Sequence, residues 1–345
     1  MKKTRSMLHI GITMGCPAGI GPEIILKYFA ARAHGQDFAP VVLGDRAVLE
    51  RCSWELGLGG ICSPWRPGDP IPMDSIPVME VSCLKADSLQ WGRPNRETGR
   101  AMADSITSAV SLIQEGLLDG MATCPISKKS LHEAGYPFPG HTEMLAHLTG
   151  NSIPVMMMAG PRLRITLVTI HCSLATVPAQ IGHAAVLRLI RITHQALMTD
   201  FNIKTPRIAV AGLNPHAGEQ GLFGNEEELR IAPAIADARR QGIEVQGPFP
   251  PDTVFLKAAA GDYDAVVCMY HDQGLIPFKL LHFHDGVNVT LGLPLVRTSV
   301  DHGTAYDIAG QGLADPQSLA AAVELAAIIA RNRQDHAASA HGNRP

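Results

Sequence analysis

No stretch of this 345-residue sequence approaches the roughly 18 uninterrupted apolar residues of a membrane-spanning helix, so no membrane partner is expected. Among its seven cysteines no two stand as CxxC. A zinc–thiolate site is therefore unsupported, and the odd number argues against a disulfide framework. Cys124 and Cys268 fall inside apolar runs and read as reduced, buried thiols. Extended basic runs are missing and the formal net charge is -3, which argues against a nucleic-acid partner. Neither GxGxxG nor the phosphate-binding GxxxxGK[ST] occurs. The start, MKKTRSMLHIGITMGCPAGIG, is basic like a secretory leader. Its apolar part is broken by Gly11, Gly15 and Pro17 and no small-residue cleavage site follows, so a cytoplasmic location is expected. There is no internal repeat.

What is present is ordinary globular composition, 46% hydrophobic and 18% charged, enough for one large or two moderate domains. Short apolar runs (LHIGITM, APVVLG, GMATCPI, IPVMMMA, LRITLVTIH, RIAVAGLN, AVVCMYH) alternate with amphipathic stretches such as PEIILKYFAARA, ETGRAMADSITSAVSLIQEG, AAVLRLIRITHQALMTDF and NEEELRIAPAIADARRQG. Unbroken apolar runs of four to eight residues suit strands covered on both faces. Their alternation with helices predicts an α/β fold with a mostly parallel sheet. The tail RNRQDHAASAHGNRP is expected to fray, and His336 and His341 in it receive no role.

The histidines carry the chemical signal. LRITLVTI runs into His171, RIAVAGL leads through Asn214 and Pro215 to His216, and AVVCMY runs into His271 and Asp272. Each strand thus delivers an imidazole at its carboxyl end, the edge where open α/β sheets bind ligands. Three imidazoles converging there would hold a divalent metal with positions left open. Taken singly, each is equally well read as a polar loop residue. Groups suited to anions accompany them: Lys279, Asn288 in DGVNVTLG, and Arg297 in LPLVRTS, whose Gly, Pro and Thr neighbours read as loop. For Lys279 alone a plain surface lysine is the simpler reading, and for Arg297 a structural ion pair. His141 and Thr142 in GYPFPGHTE stand where a helix begins and could meet an anion or serve as a plain cap. In GITMGCPAGIGPEII a strand turns through Gly15, Gly19 and Gly21 into a helix with Pro22 near its start. Such a turn can hold a cofactor phosphate or be purely structural.

The blocks GITMGCPAGIGPEI, PGHTE, NPHAGEQGLFGNEE, GPFPPDTVF, MYHDQGLIPFK and GVNVTLGLPLVRTSVDHGTAYDIAG, spread from residue 11 to about 310, together resemble the 4-hydroxythreonine-4-phosphate dehydrogenase family. The resemblance implies two α/β/α domains with a cleft between them, similar to isocitrate and isopropylmalate dehydrogenases. These are placed at 1–135 plus 295–345, and at 136–294. It implies a homodimer whose active site is shared between subunits and a divalent metal (zinc, magnesium, manganese or cobalt) on His171, His216 and His271. It further implies substrate contacts from His141, Thr142, Lys279, Asn288 and Arg297, with NAD or NADP as oxidant. The reaction implied is oxidation and decarboxylation of a small phosphorylated hydroxy acid. Lys279, Asp272 and Asp252 are assigned catalytic roles, and Asp301 and His302 remain open beside the two aspartates as the general base. One departure stands out: Cys16 occupies a place where the family usually has Asp or Glu.

Three branches of that family differ in substrate: 4-phosphohydroxy-threonine for vitamin B6, threonate or erythronate 4-phosphate, and cis-dihydrodiol carboxylates of the terephthalate type. The intact GHTE favours a phosphorylated substrate. Details such as PPDTVF and IPFKLLHFHDGVN look closer to the sugar-acid branch. Two other classes compete: a metal-dependent hydrolase or lyase using the same histidines, and a non-catalytic anion-binding protein.

Overall fold

The computed structural model describes residues 7–32, 37–72, 74–150 and 153–342, the last three without side chains. The leader-like basic residues 1–6, the final tail residues 343–345 and the His341 side chain therefore lie outside the described residues. The chain forms two compact units, one running to Pro154 and including Leu293–Arg331, the other comprising Val155–Gly292 and the chain from Asn332.

In the first unit the order is β1 (Leu8–Thr13), α1 (Gly21–Ala31), β2 (Phe38–Gly44), α2 (Arg46–Leu56), β3 (Cys62–Pro64), β4 (Ile76–Glu80), α3 (Arg96–Gln114), β5 (Gly120–Thr123), α4 (Lys128–Glu133) and α5 (His141–Leu148). The second follows with β6 (Val155–Ala159), β7 (Arg164–Leu167), α6 (Val177–Gln180), α7 (His183–Thr199), β8 (Ile208–Ala211), α8 (Ala232–Arg240), β9 (Val245–Phe249), α9 (Val254–Ala259), β10 (Ala265–Cys268), α10 (His271–Leu281) and β11 (Val287–Leu291). β12 (Arg297–Val300) returns to the first unit, and α11 (Gln317–Gly342) begins there. All seven apolar runs read as strands are strands, and the four amphipathic stretches are helices.

The first unit's strands lie in the order β3-β4-β2-β1-β5-β12, every pairing parallel. Helices cover both faces of such a sheet, which is why β1 and β2 are buried almost throughout and read as continuous apolar runs. α3 begins on a capping box: Asn95 Oδ1 accepts from Thr98 N, and Thr98 Oγ1 accepts from Asn95 N, both at 2.9 Å.

In the second unit the order is β11-β6-β7-β10-β8-β9, antiparallel at β11–β6–β7 and parallel from β7 onward. Strand alternation divides its core. Ile208, Val210, Ala265 and Val267 pack with α7 and α8, while Ala209, Ala211, Val266 and Cys268 pack with Val254, Phe255, Leu275 and Phe278 of α9 and α10. Among the described residues no helix is long and apolar enough to cross a membrane, and all seven cysteines are free.

Two expectations need correction. Arg297 is not in a loop: it opens β12, a short strand whose polar residues are satisfied internally. Thr298 Oγ1 donates to Ala322 O at 2.8 Å and Ser299 Oγ to Thr123 O at 3.3 Å, so the run RTSV lacks the apolar signature of a buried strand. Nor does the tail fray over its described part. Its alanine-rich sequence has high helix propensity, and α11 continues to Gly342. Arg333 grips the buried Asp200 carboxylate with two bonds, at 2.7 and 2.9 Å, and Asn332 Nδ2 donates to Asp200 O at 2.7 Å.

Phe278, fully buried between α10 and the sheet, anchors the helix that opens on His271. Phe278→Ala is expected to destabilise the unit by about 3–5 kcal/mol, the usual cost of a large core truncation. Chemical denaturation followed by circular dichroism checks this.

Candidate active site

β7, β10 and β8 are adjacent and parallel, so the segments leaving them emerge at one edge. The β7–β10 ladder runs on past both strands. Val168 N donates to Cys268 O at 2.9 Å, and both Thr169 N (3.2 Å) and Thr169 Oγ1 (2.8 Å) donate to Met269 O. Held side by side to that point, the two chains place His171 and His271 with ring centroids 5.7 Å apart, inclined at 42°. Two imidazoles sharing one cation at about 2.0–2.1 Å from each ring nitrogen would have centroids roughly 5–6 Å apart, so the pair fits half of a metal site.

His271 is the first residue of α10, and its Nδ1 lies 2.6 Å from Asp272 Oδ1. A carboxylate only accepts, so Nδ1 is the donor, and in the neutral ring of this tautomer Nε2 has the lone pair a cation needs. His216 shows the same arrangement, with Nδ1 2.8 Å from Glu219 Oε2. Its ring, however, stands edge-on to Phe223, 6.0 Å between centroids. Among the described residues no three His, Cys, Asp or Glu side chains come together as a metal-binding group. Within one chain, then, two of the three histidines meet and His216 stands apart.

The backbone at His216 is strained. From His216 to Gln220 five successive residues have positive φ (52°, 56°, 86°, 44° and 58°), and only Gly218 among them is glycine. Left-handed backbone costs roughly 1–2 kcal/mol per L residue, a load carried only where the surroundings enforce it.

The first unit holds the anion-type residues His141, Thr142 and Arg297. The Arg297 guanidinium is buried and donates from Nε and one terminal nitrogen to Thr123 Oγ1, at 3.2 and 2.8 Å. Burial pushes its pKa down to about 10, opposed by the Glu143 carboxylate. His141 opens α5 behind Gly140, which makes no side-chain cap, so neither His141 nor Thr142 is the cap residue. His141 Nε2 is out of contact with solvent and has no hydrogen-bond partner. Burial, and secondarily the Arg297 charge, hold this imidazole well below its ordinary pKa. A buried cation beside an unpartnered imidazole nitrogen is an arrangement that a phosphate or carboxylate would complete.

The Gly-rich turn is buried throughout. Gly15 has φ 69°, and a Cβ there would lie 2.4 Å from Pro125 O; one at Gly21 would lie 2.1 Å from Met14 O. Close backbone packing thus accounts for these glycines, and Gly19 lies against Thr304. Cys16 accepts a hydrogen bond from Tyr306 at 3.3 Å, and burial raises its thiol pKa. His302 Nε2 is likewise buried without a partner, and Asp301 N donates to Ser318 Oγ. In the second unit Lys279 is half-buried on α10, Asn288 lies in β11 opposite Met158, and Asp252 is exposed in the turn after β9. The sequence reading did not single out Thr123 or Glu219. Carboxylates one or three residues after a histidine, at Asp272 and Glu219, were the available signal for the ring-orienting partners.

A family model described as "Pyridoxal phosphate biosynthetic protein PdxA" matches residues 36–326. A 4-hydroxythreonine-4-phosphate dehydrogenase of Desulfosudis oleivorans is 52% identical over 326 residues, covering 92% of this chain and 94% of that one. A protein of Oceanobacillus iheyensis provisionally named D-threonate 4-phosphate dehydrogenase is 42% identical over 326 residues, with 93% and 97% covered. The crystal structure of 4-hydroxythreonine-4-phosphate dehydrogenase from Klebsiella pneumoniae matches with a TM-score of 0.86 at 42% identity, covering 95% of this chain and 99% of that one.

The depressed His141 pKa sets a sign for pH dependence. The unfolded chain binds a proton near the ordinary value of 6.5, whereas the folded imidazole, beside Arg297, resists it. His141 therefore contributes stability above that value and loses it as pH falls toward the folded-state pKa. Between pH 7 and 5 the stability of the protein should fall, and His141→Asn should flatten the slope, as read from unfolding midpoints.

Proposed function

The chain belongs to the pyridoxal phosphate biosynthetic protein PdxA family and is thereby an oxidoreductase; from that premise we propose that it oxidises a small phosphorylated hydroxy acid with NAD or NADP, with decarboxylation of the resulting keto acid. The first substrate is 4-hydroxythreonine-4-phosphate, named in the relative at 52% identity. D-threonate 4-phosphate, carried by the name of the relative at 42%, is the second reading, and the likeness of PPDTVF and IPFKLLHFHDGVN to the sugar-acid branch favours testing it alongside. Neither is set aside by the first unit's anion-type residues, since both substrates carry a phosphate and a carboxylate.

The observation that carries the reading is the paired ring geometry of His171 and His271, each leaving a parallel strand at the same edge. Those two, with His216 of the partner subunit, would hold a divalent cation (zinc, magnesium, manganese or cobalt). When bound, it would act as a Lewis acid that eases loss of the substrate hydroxyl proton. Two copies of the chain are required, because His216 does not reach the pair in its own chain. Exposed apolar side chains on the same unit support such a homodimer: Leu222 and Phe223 beside His216, and Ile276, Leu280 and Phe283 on and after α10.

The chain's own groups divide the remaining work. Arg297, His141 and Thr142 bind the phosphate, the buried guanidinium supplying a fixed charge and His141 Nε2 a hydrogen-bonding atom. Lys279 and Asn288 contact the rest of the substrate. Asp272 orients the His271 ring. Asp272 and Lys279, seven residues apart, share one face of α10, and Asp252 follows β9 at the edge where β8 also ends. Asp252 is the group assigned to take the hydroxyl proton, with Asp272, Asp301 and His302 as the alternatives, and the catalytic role assigned to Lys279 is to orient the substrate's anionic part. The backbone at Gly15, Gly19 and Gly21 is assigned to the nicotinamide cofactor, and the enzyme is placed in the cytoplasm.

The test is a turnover panel of 4-hydroxythreonine-4-phosphate, D-threonate and D-erythronate 4-phosphates and a cis-dihydrodiol carboxylate, with NAD and NADP, read by reduced-nicotinamide absorbance. Phosphorylated substrates should turn over and the dihydrodiol should not. No reduced nicotinamide with any of them would overturn the reading in favour of a hydrolase, lyase or binding protein. His216→Ala should lower bound divalent metal well below one per protomer and reduce turnover at least about a hundredfold, as loss of a metal ligand does.

A further inference from the structure

The left-handed turn that carries His216 is held by a carboxylate that the reading above leaves without a role. Glu227 lies in a π-helical turn, Glu227–Ile231, that runs into α8, and its side chain is buried. Its Oε1 accepts from Leu213 N and from Asn214 N, both at 2.7 Å, and its Oε2 accepts from Asn214 Nδ2 at 3.0 Å. Three donors on the two residues that enter the turn are thus collected by one charged group. The same carboxylate sits under the turn's middle: a Cβ on Gly218 would lie 2.8 Å from Oε2. Above it, Ala217 N donates to Asn214 O and Phe223 N to Gly218 O, which closes the turn on itself.

The entry to this turn is also tied to the neighbouring strand. Gln273, buried on α10, donates to Gly212 O at 2.6 Å and accepts from Met269 N at 2.6 Å. The segment that leads to His216 and the segment that leads to His271 therefore share one side-chain amide. Glu227 thus meets the turn at its entry and its middle, and Gln273 bonds the end of the strand that leads into it.

We propose that Glu227 is a positioning residue, whose buried carboxylate enforces the left-handed conformation of residues 216–220 and so aims His216 for metal binding. This rests on the reading of His216 as a ligand. The energetic logic is direct: four side-chain-bearing residues at positive φ would relax if their anchor were lost, and the ring would then sample many directions instead of one, with its affinity reduced by the fraction that remains competent.

Glu227→Gln keeps the side chain's shape but presents an amide NH2 and a single carbonyl to three donors. Two measurements are made on metal-free protein: amide hydrogen exchange across residues 213–220, and calorimetric titration with Zn2+ alone and with Mn2+ alone. Exchange should quicken at least tenfold in that segment but not in α7, and metal affinity should fall at least tenfold. Glu226→Gln serves as control, since the Glu226 carboxylate meets the Asn214 side chain, at 2.9 Å, and the backbone of residues 225 and 226, whereas Leu213 N and Asn214 N go to Glu227; both quantities should stay within threefold. If Glu227→Gln does not fold, Asn214→Ala, which removes the side-chain bonds to Glu227 and Glu226 and keeps both backbone donors to Glu227, should give the same pattern in weaker form, the Glu226 share being read from Glu226→Gln. Unchanged exchange in Glu227→Gln overturns the proposal, as does quickened exchange with unchanged metal affinity while His216→Ala abolishes binding. If His216→Ala itself binds metal normally, it is the ligand reading that fails, and the exchange result alone then decides whether Glu227 holds the turn.

Discussion

The parallel hydrogen-bonded alignment of β7 with β10 is the constraint on which the candidate site depends. Because Thr169 carries that ladder one step beyond the strands through two bonds to Met269 O, two chain segments far apart in sequence leave the sheet together. The ring pair at 5.7 Å is a direct result of this pairing. Everything on the two faces of the sheet serves to keep it in place: the α7–α8 layer on one side, and Phe278 and Leu275 of α10 on the other.

A second constraint is electrostatic. Carboxylates next to histidines in sequence orient the rings. Asp272 and Glu219 each accept a hydrogen bond from Nδ1, the arrangement in which Nε2 is the ligating atom of a neutral ring. In the first unit the opposite device operates, where burial keeps His141 neutral beside the Arg297 cation. At the Gly-rich turn Cys16 and Tyr306 form a neutral pair whose thiol is pushed away from ionisation by burial.

Much of this was legible from the sequence because buried parallel strands leave apolar runs and helices leave periodic ones. β7, β8 and β10 announced themselves, and with them the histidines at their ends. β12 did not. Arg297, Thr298 and Ser299 satisfy their polar groups through Thr123 and backbone carbonyls, and no pattern of hydropathy records a hydrogen bond made by residues 174 positions apart. α10 was hidden for a different reason, since Pro277 interrupts it and obscures the helical period. The left-handed run at His216 was beyond reach altogether: its residues, apart from Gly218 and Gly221, carry no preference for positive φ, and Glu227, the group that collects the donors entering it, reads in sequence as one of several surface acids. Branch assignment divides along the same line, as short blocks point toward sugar-acid phosphates while whole-chain identity is higher to a relative named for hydroxythreonine phosphate.

The placement of Arg297 within a strand, rather than at the tip of a mobile side chain, bears on how the protein would respond to its ionic surroundings. Dissolved ions weaken attraction between charges that water reaches, over a screening length of about 8 Å at physiological ionic strength, and act far less on charges enclosed by protein. An anion that comes to rest against this guanidinium would keep its grip in concentrated salt, and what salt would slow is its approach across the open surface.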